Sequence, residues 1–138
     1  MKISTKSRYG TRLLLDLAAR EDQGFIQLAE IAQRLSVSMK YLEQIILPLK
    51  KANYVQSARG AKGGHRLAKK PADIRVGDVV ALLEGGKEII SCVADPRICP
   101  RSEMCKARTL WQKASDGFYS TLNHVSIEDL LRDGELCI

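Results

Sequence analysis

In the first half of the chain, apolar residues recur at helical spacing and are broken into short runs. Tyr9, Leu13 and Leu17 fall every fourth residue, with Leu14 and Ala18 widening the stripe, so a helix is predicted from Tyr9 to Arg20, ended by Gly24. Leu28, Ile31, Ala32 and Leu35 share one face of a shorter second helix. The turn Leu35-Ser36-Val37-Ser38 follows, and Ser38 is well placed as an N-cap. A third helix runs from Met39 to about Lys51 and buries Leu42, Ile45, Ile46 and Leu49. Pro48 is expected to kink or loosen its last turn, because its ring removes a hydrogen bond.

The rhythm changes at Tyr54-Val55-Gln56-Ser57. This short extended run and a second from His65 to Leu67 flank the Gly-rich stretch Arg59 to Gly64, the pattern of a β-hairpin. Beyond Pro71, Val76, Val79, Val80 and Leu83 predict a fourth helix, stopped by Gly85-Gly86. Residues 87–105 look like a loop. A long helix from about Lys106 to Asn123 carries Ala107, Trp111, Ala114, Phe118, Leu122 and Val125 in a nearly heptad stripe, with Leu110 and Tyr119 beside it. Ser126-Ile127-Glu128-Asp129 reads as a capping box for a last short helix, ended by Gly134. The expected fold is mainly α with a small β-hairpin: a winged helix-turn-helix in residues 1–70, then a second unit, 71–138, with the loop and the long C-terminal helix.

Composition sharpens this picture. The 138 residues are 45% hydrophobic and 28% charged, a globular balance. No apolar run approaches the roughly 20 residues of a membrane span, and the N-terminus lacks a signal-peptide stretch, so a cytoplasmic protein with no membrane partner is expected. The net charge of +6 is unevenly held: residues 1–70 carry 14 Lys/Arg against 5 Asp/Glu, and residues 71–138 carry 8 against 11. A basic half joined to a mildly acidic one suggests that the first meets a polyanion. On the third helix, Lys40 and Glu43 suit base edges, while Tyr41 and Gln44 suit phosphates, and Ser38 at its start is counted with them among the DNA-binding residues. Arg59 and Lys62 on the hairpin tip suit a minor groove. A solvated face is the plainer account of each alone; together they favour double-stranded DNA as the partner.

All four cysteines lie in the acidic half. Cys92, Cys99 and Cys105 are close in sequence, and Cys137 is a spare thiol near the terminus. A structural zinc site usually offers a tight C-x2–4-C pair, which is missing here. The wide spacings better suit an iron–sulfur cluster. Arg97, Arg101, Lys106 and Arg108 nearby would favour thiolates. Free thiols, a redox dithiol switch and a zinc-holding nucleic-acid module are the alternatives. His65 and His124 read as packing residues, or for His65 a phosphate contact. No catalytic constellation is present in the sequence, so no enzyme is expected.

Met1 to Gly10, Tyr41-Leu42-Glu43-Gln44 and Arg59-Gly60-x-x-Gly63-Gly64, in this order, closely resemble the Rrf family of bacterial winged-helix transcription regulators. The similarity covers essentially the whole chain. It implies a homodimer paired through the long C-terminal helix, an operator with two half-sites, and a [2Fe–2S] or [4Fe–4S] cluster held by Cys92, Cys99 and Cys105 as the sensor of iron–sulfur, redox or nitrosative status. One branch of that family, a cysteine-metabolism repressor, is cluster-free. Lys106-Ala107-Arg108 stands where the family's cluster regulator has a histidine ligand, and Arg8 where its nitric-oxide sensor has a carboxylate, so the fourth ligand is unassigned. Lys40 replaces a small polar residue of the cluster regulator.

Overall fold

The computed structural model describes residues 2–133, so the expectations for Gly134 and Cys137 lie outside the described residues. Helix α1 spans Thr5–Ala19. It starts before Tyr9 because Ser4 caps it, its hydroxyl accepting the Ser7 N–H at 3.1 Å, a start that apolar spacing does not mark. A 3₁₀ turn at Glu21–Gln23 leads to Gly24, then to α2, Leu28–Leu35, whose Leu28, Ile31, Ala32 and Leu35 are all buried. Helix α3, Met39–Lys51, opens on Ser38, which accepts the Tyr41 N–H at 3.1 Å. It runs on through Pro48, and the Ala52 N–H closes onto the Pro48 carbonyl at 3.0 Å. The expected loosening does not end the helix. Proline so near the C-terminus removes a single bond, and Leu49 beside it is wholly buried.

Strands β1, Val55–Ala58, and β2, Gly64–Leu67, pair antiparallel from Val55 opposite Leu67 to Ala58 opposite Gly64. Helix α4, Val76–Glu84, ends at Gly85 in the left-handed region. The predicted loop is partly ordered. A four-residue α5, Ser91–Ala94, and a 3₁₀ turn at Pro96–Ile98 occupy it, the latter capped by Asp95 accepting the Arg97 N–H. Helix α6 spans Lys106–Asn123, and α7, Ile127–Arg132, has the expected capping box between Ser126 and Asp129.

One apolar core crosses residue 70. Leu13, Leu14, Leu17, Ile31, Leu42, Ile45 and Leu49 of the first three helices are joined by Ile74, Val79 of α4 and Ile127 of α7. Helix α1 lies at its centre, in contact with α2, α3, α4 and α7. Gly10 makes the α1–α4 approach possible: a Cβ there would stand 2.2 Å from Leu83 Cδ1. Among the described residues no helix is long and apolar enough to cross a membrane.

A charged residue is also buried in this core. Asp16 of α1 is 0% exposed. Its carboxylate accepts from Arg34 Nε at 2.8 Å and Nη2 at 2.7 Å on α2, and from Arg20 Nη1 at 2.6 Å. The Asp16 hydrogen bonds raise the Arg34 guanidinium above its ordinary value against the opposing effect of burial. This bidentate clamp fixes α2 on α1. Asp16→Ala will lower unfolding free energy by about 1–3 kcal/mol in urea titration, since it removes a buried carboxylate that orients two half-buried guanidinium groups, of which Arg34 keeps only Glu30 at 3.8 Å. Glu128→Ala, which removes an exposed i,i+4 partner of Arg132, will cost under about 0.5 kcal/mol.

Candidate nucleic-acid interface and cysteine segment

Helix α3 buries Leu42, Ile45, Ile46 and Leu49, and the helical period therefore turns Lys40, Glu43 and Gln44 outward. Ser38 is exposed at the N-cap, so its hydroxyl is spent on the helix start. Tyr41 is half-buried and meets Tyr9 of α1 edge to face, with ring centroids 5.9 Å apart. Arg12 lies over that Tyr9 ring at 5.2 Å. The pair braces the first turn of α3 against α1. Sequence spacing did not reveal this brace, because Tyr9 and Tyr41 belong to different helices.

The hairpin is anchored beside α2. Ile26 and His65 exchange backbone bonds at 2.8 Å, and Gln27 Nε2 donates to the Gly63 carbonyl at 2.9 Å. Gly64 has φ +135, and a Cβ on it would meet the Ile26 carbonyl oxygen at 2.3 Å; one on Gly63 would meet the Ala58 oxygen at 2.2 Å. The glycine pair is therefore required by backbone packing under the tip. Arg59 and Lys62 are exposed on that tip. Burial and the nearby Lys50 hold the His65 imidazole below its ordinary value, and its Nδ1 is buried without a hydrogen-bond partner. Arg66 stacks over Phe25 at 4.5 Å and Lys69 over Tyr54 at 4.3 Å, covering the outer side of the hairpin with cations.

Helix, tight turn, exposed helix and basic hairpin, all packed on one core, complete the winged helix-turn-helix, and residues 3–133 match the family described as Iron-dependent Transcriptional regulator. The chain belongs to the Rrf2 family. Protein rrf2 of Nitratidesulfovibrio vulgaris (strain Hildenborough) is 45% identical over 137 residues, 99% of this chain and 91% of that protein. The structure of CymR, the global cysteine regulator of B. subtilis, superposes with a TM-score of 0.79 at 35% identity, covering 98% of this chain and 99% of that one. T. potens IscR superposes with a TM-score of 0.77 at 35% identity, covering 98% of this chain and 89% of that one. The chain is thus a DNA-binding transcription regulator and not an enzyme.

In this Rrf2-family chain the three cysteines are distributed along one segment: Cys92 in α5, Cys99 after the 3₁₀ turn and Cys105 at the N-cap of α6. All are free and half-buried. Among the described residues, no three His, Cys, Asp or Glu side chains come together to hold a metal ion. Three thiols suit an iron–sulfur cluster in kind but supply one ligand fewer than it takes, and the segment as folded is not a closed cage. Two of the four cations expected around the thiols are engaged elsewhere. Arg97 pairs with Asp95 at 2.9 Å, and Arg108 Nε donates to the Cys92 carbonyl at 2.9 Å, tying α5 to α6.

The stripe read on α6 divides. Phe118, Leu122 and Val125 pack partly on the core beside the buried Tyr119, and the other buried residue of the helix is Ser115, outside the stripe. Ala107, Leu110, Trp111 and Ala114 stay exposed, Leu110 at 58% and Trp111 at 40%. The heptad-like spacing therefore serves two surfaces, because the C-terminal turns of α6 are taken up by α4. Gly64→Ala will strain the hairpin base, raising amide exchange across Val55–Ala58 and Gly64–Leu67 at least about tenfold while α1 and α3 keep their protection.

Proposed function

We propose that this regulator acts as a homodimer paired along the exposed apolar edge of α6 and binds an operator with two half-sites. Lys40 and Glu43 read base edges in the major groove, and Tyr41 and Gln44 hold phosphates beside them. Arg59 and Lys62 enter the flanking minor groove, while Ser38 fixes the start of the reading helix. The observation that carries this reading is the polarity of α3: its inner positions are wholly buried, while Lys40, Glu43 and Gln44 face solvent on the same helix. Trp111 and Leu110 support the pairing surface, since large apolar side chains left exposed on a helix mark an interaction site.

Signal reception belongs, in this proposal, to Cys92, Cys99 and Cys105, which hold a [2Fe–2S] or [4Fe–4S] cluster with a fourth ligand from outside these three. When bound, such a cluster supplies a centre reactive to oxygen and nitric oxide. The protein's own part is to present three thiolates on one segment that Arg108 joins to the pairing helix. A second reading is a cluster-free thiol switch, for which three free, half-buried thiols are available. Similarity to the cysteine regulator of B. subtilis points the same way.

Glu43→Ala will relax base preference at one position of each half-site without loss of non-specific affinity, because a carboxylate that reads a base also repels phosphates. Arg59→Ala will weaken binding to all sequences by about 1–3 kcal/mol. Selection from random duplexes followed by titration of each variant checks both, and an unchanged site and affinity for the pair overturns the interface. Anaerobic reconstitution with iron and sulfide decides between the sensors. Single Ser substitutions at Cys92, Cys99 and Cys105 will abolish the visible absorption and bound iron, whereas Cys137→Ser will keep them. A parent that holds no iron, yet changes operator affinity on oxidation, establishes the thiol switch instead.

A further inference from the structure

A helix N-terminus presents unpaired N–H groups and a partial positive charge. The first turn of α1 adds Lys6 and Arg8 to that charge and contains no acid. Its counter-charge comes from the far end of α4. Glu84 Oε1 accepts the Ser4 N–H at 2.9 Å and the Ser7 hydroxyl at 2.5 Å. Ser7 is completely buried, and its own N–H is taken by Ser4 Oγ. Burial opposes the charge on Glu84, but the hydrogen bonds from Ser7 and Ser4, with Lys6 nearby, hold its carboxyl below the ordinary range.

The place of Glu84 in the chain gives this contact a consequence. Glu84 is the last residue of α4, and the cysteine-bearing segment leaves from Gly85, the next position. An open cavity of about 480 Å3 lies beside this junction, lined by Glu84 together with Ile89, Ile90 and Ala94 of the segment and Phe118 of α6. On the other side, α1 reaches the recognition helix within one turn of Ser7. Tyr9 meets Tyr41 edge to face, and Gly10 lies against both Leu83 of α4 and Ile45 of α3.

We propose that Glu84 is a positioning residue that passes the state of segment 85–105 to the recognition helix, by capping the first turn of α1 in one state and releasing it in the other. The inference rests on the reading of that segment as the signal receiver. When the segment reorders, it draws on the end of α4, and the carboxylate moves from Ser4 and Ser7. The first turn of α1, with two cations and no acid, then frays, and Tyr9 no longer braces Tyr41. The bistable element is a single helical turn, which a coupling of the usual allosteric size is enough to shift.

The test uses the full-length chain carrying Cys137→Ser, so that iodoacetamide reaches only Cys92, Cys99 and Cys105. Affinity for a duplex selected from random sequence is measured before and after alkylation, and before and after anaerobic loading with iron and sulfide. Amide exchange of residues 5–8 is followed in each state. In the parent, at least one treatment will change affinity by about tenfold and alter exchange in that turn. In Glu84→Ala the change in affinity will fall below about twofold, with exchange of the turn fast and independent of treatment. Ser7→Ala, which removes one donor and leaves the core otherwise intact, will reduce the response in the same direction if Glu84→Ala does not fold. A Glu84→Ala protein that is less stable but keeps the parent's full response overturns the coupling role and leaves the regulator reading standing. A parent that responds to neither treatment overturns the signal-receiver reading, and this inference with it.

Discussion

Close packing of α1 against α4 is the constraint on which the rest of the molecule depends. At Gly10 the Leu83 side chain packs directly on the α1 backbone, in the space that a Cβ would take. That contact makes α1 the shared wall of α2 and α3 and of the elements that follow residue 70, and a single core results. A larger residue at this position first displaces the end of the Leu83 side chain, and so disturbs the packing of α4 on α1.

Two carboxylates then set what α1 holds. Asp16, wholly buried, fixes α2 through a bidentate pair with Arg34, and so sets the distance from α1 to the turn that launches α3. Glu84, arriving from α4, completes the opposite end of the same helix. Each carboxylate accepts charge-assisted hydrogen bonds, which are directional as well as strong, so they fix orientation where apolar contacts alone tolerate sliding. The scaffold around the reading helix is correspondingly rigid. The cysteine segment, by contrast, is short helical turns held by a few contacts, among them Arg108 to the Cys92 carbonyl and the Ile89 N–H to Ser115 Oγ. Helix α3 packs on α4, and the cysteine segment leaves from the end of α4.

Most of the fold follows from local pattern. The buried faces of α2 and α3, the Ser38 cap, the hairpin and the capping box at Ser126 are legible because each is decided within a few residues by helical period, side-chain capping or turn chemistry. The same holds for the outward positions Lys40, Glu43, Gln44, Arg59 and Lys62, which follow once the inner face is known. Asp16 left a signal that spacing alone does not interpret: a carboxylate set among Leu13, Leu14 and Leu17 requires a partner, but nothing local says which arginine. The basic first turn of α1 left a similar one.

The sequence by itself determined the elements, their order, the winged-helix class and the family, because hydrophobic period, breakers and short motifs are local properties of a chain. Tertiary structure alone decided which distant groups meet: Glu84 with Ser4 and Ser7, Asp16 with Arg34, Tyr9 with Tyr41. It also divided the stripe of α6 between the protomer's own core and an exposed edge, and it left the three cysteines on one segment without bringing them together. The physical reason is the same in each case: these outcomes depend on how whole helices pack, and the positions involved are set by steric contacts such as Gly10 against Leu83 that no local pattern encodes.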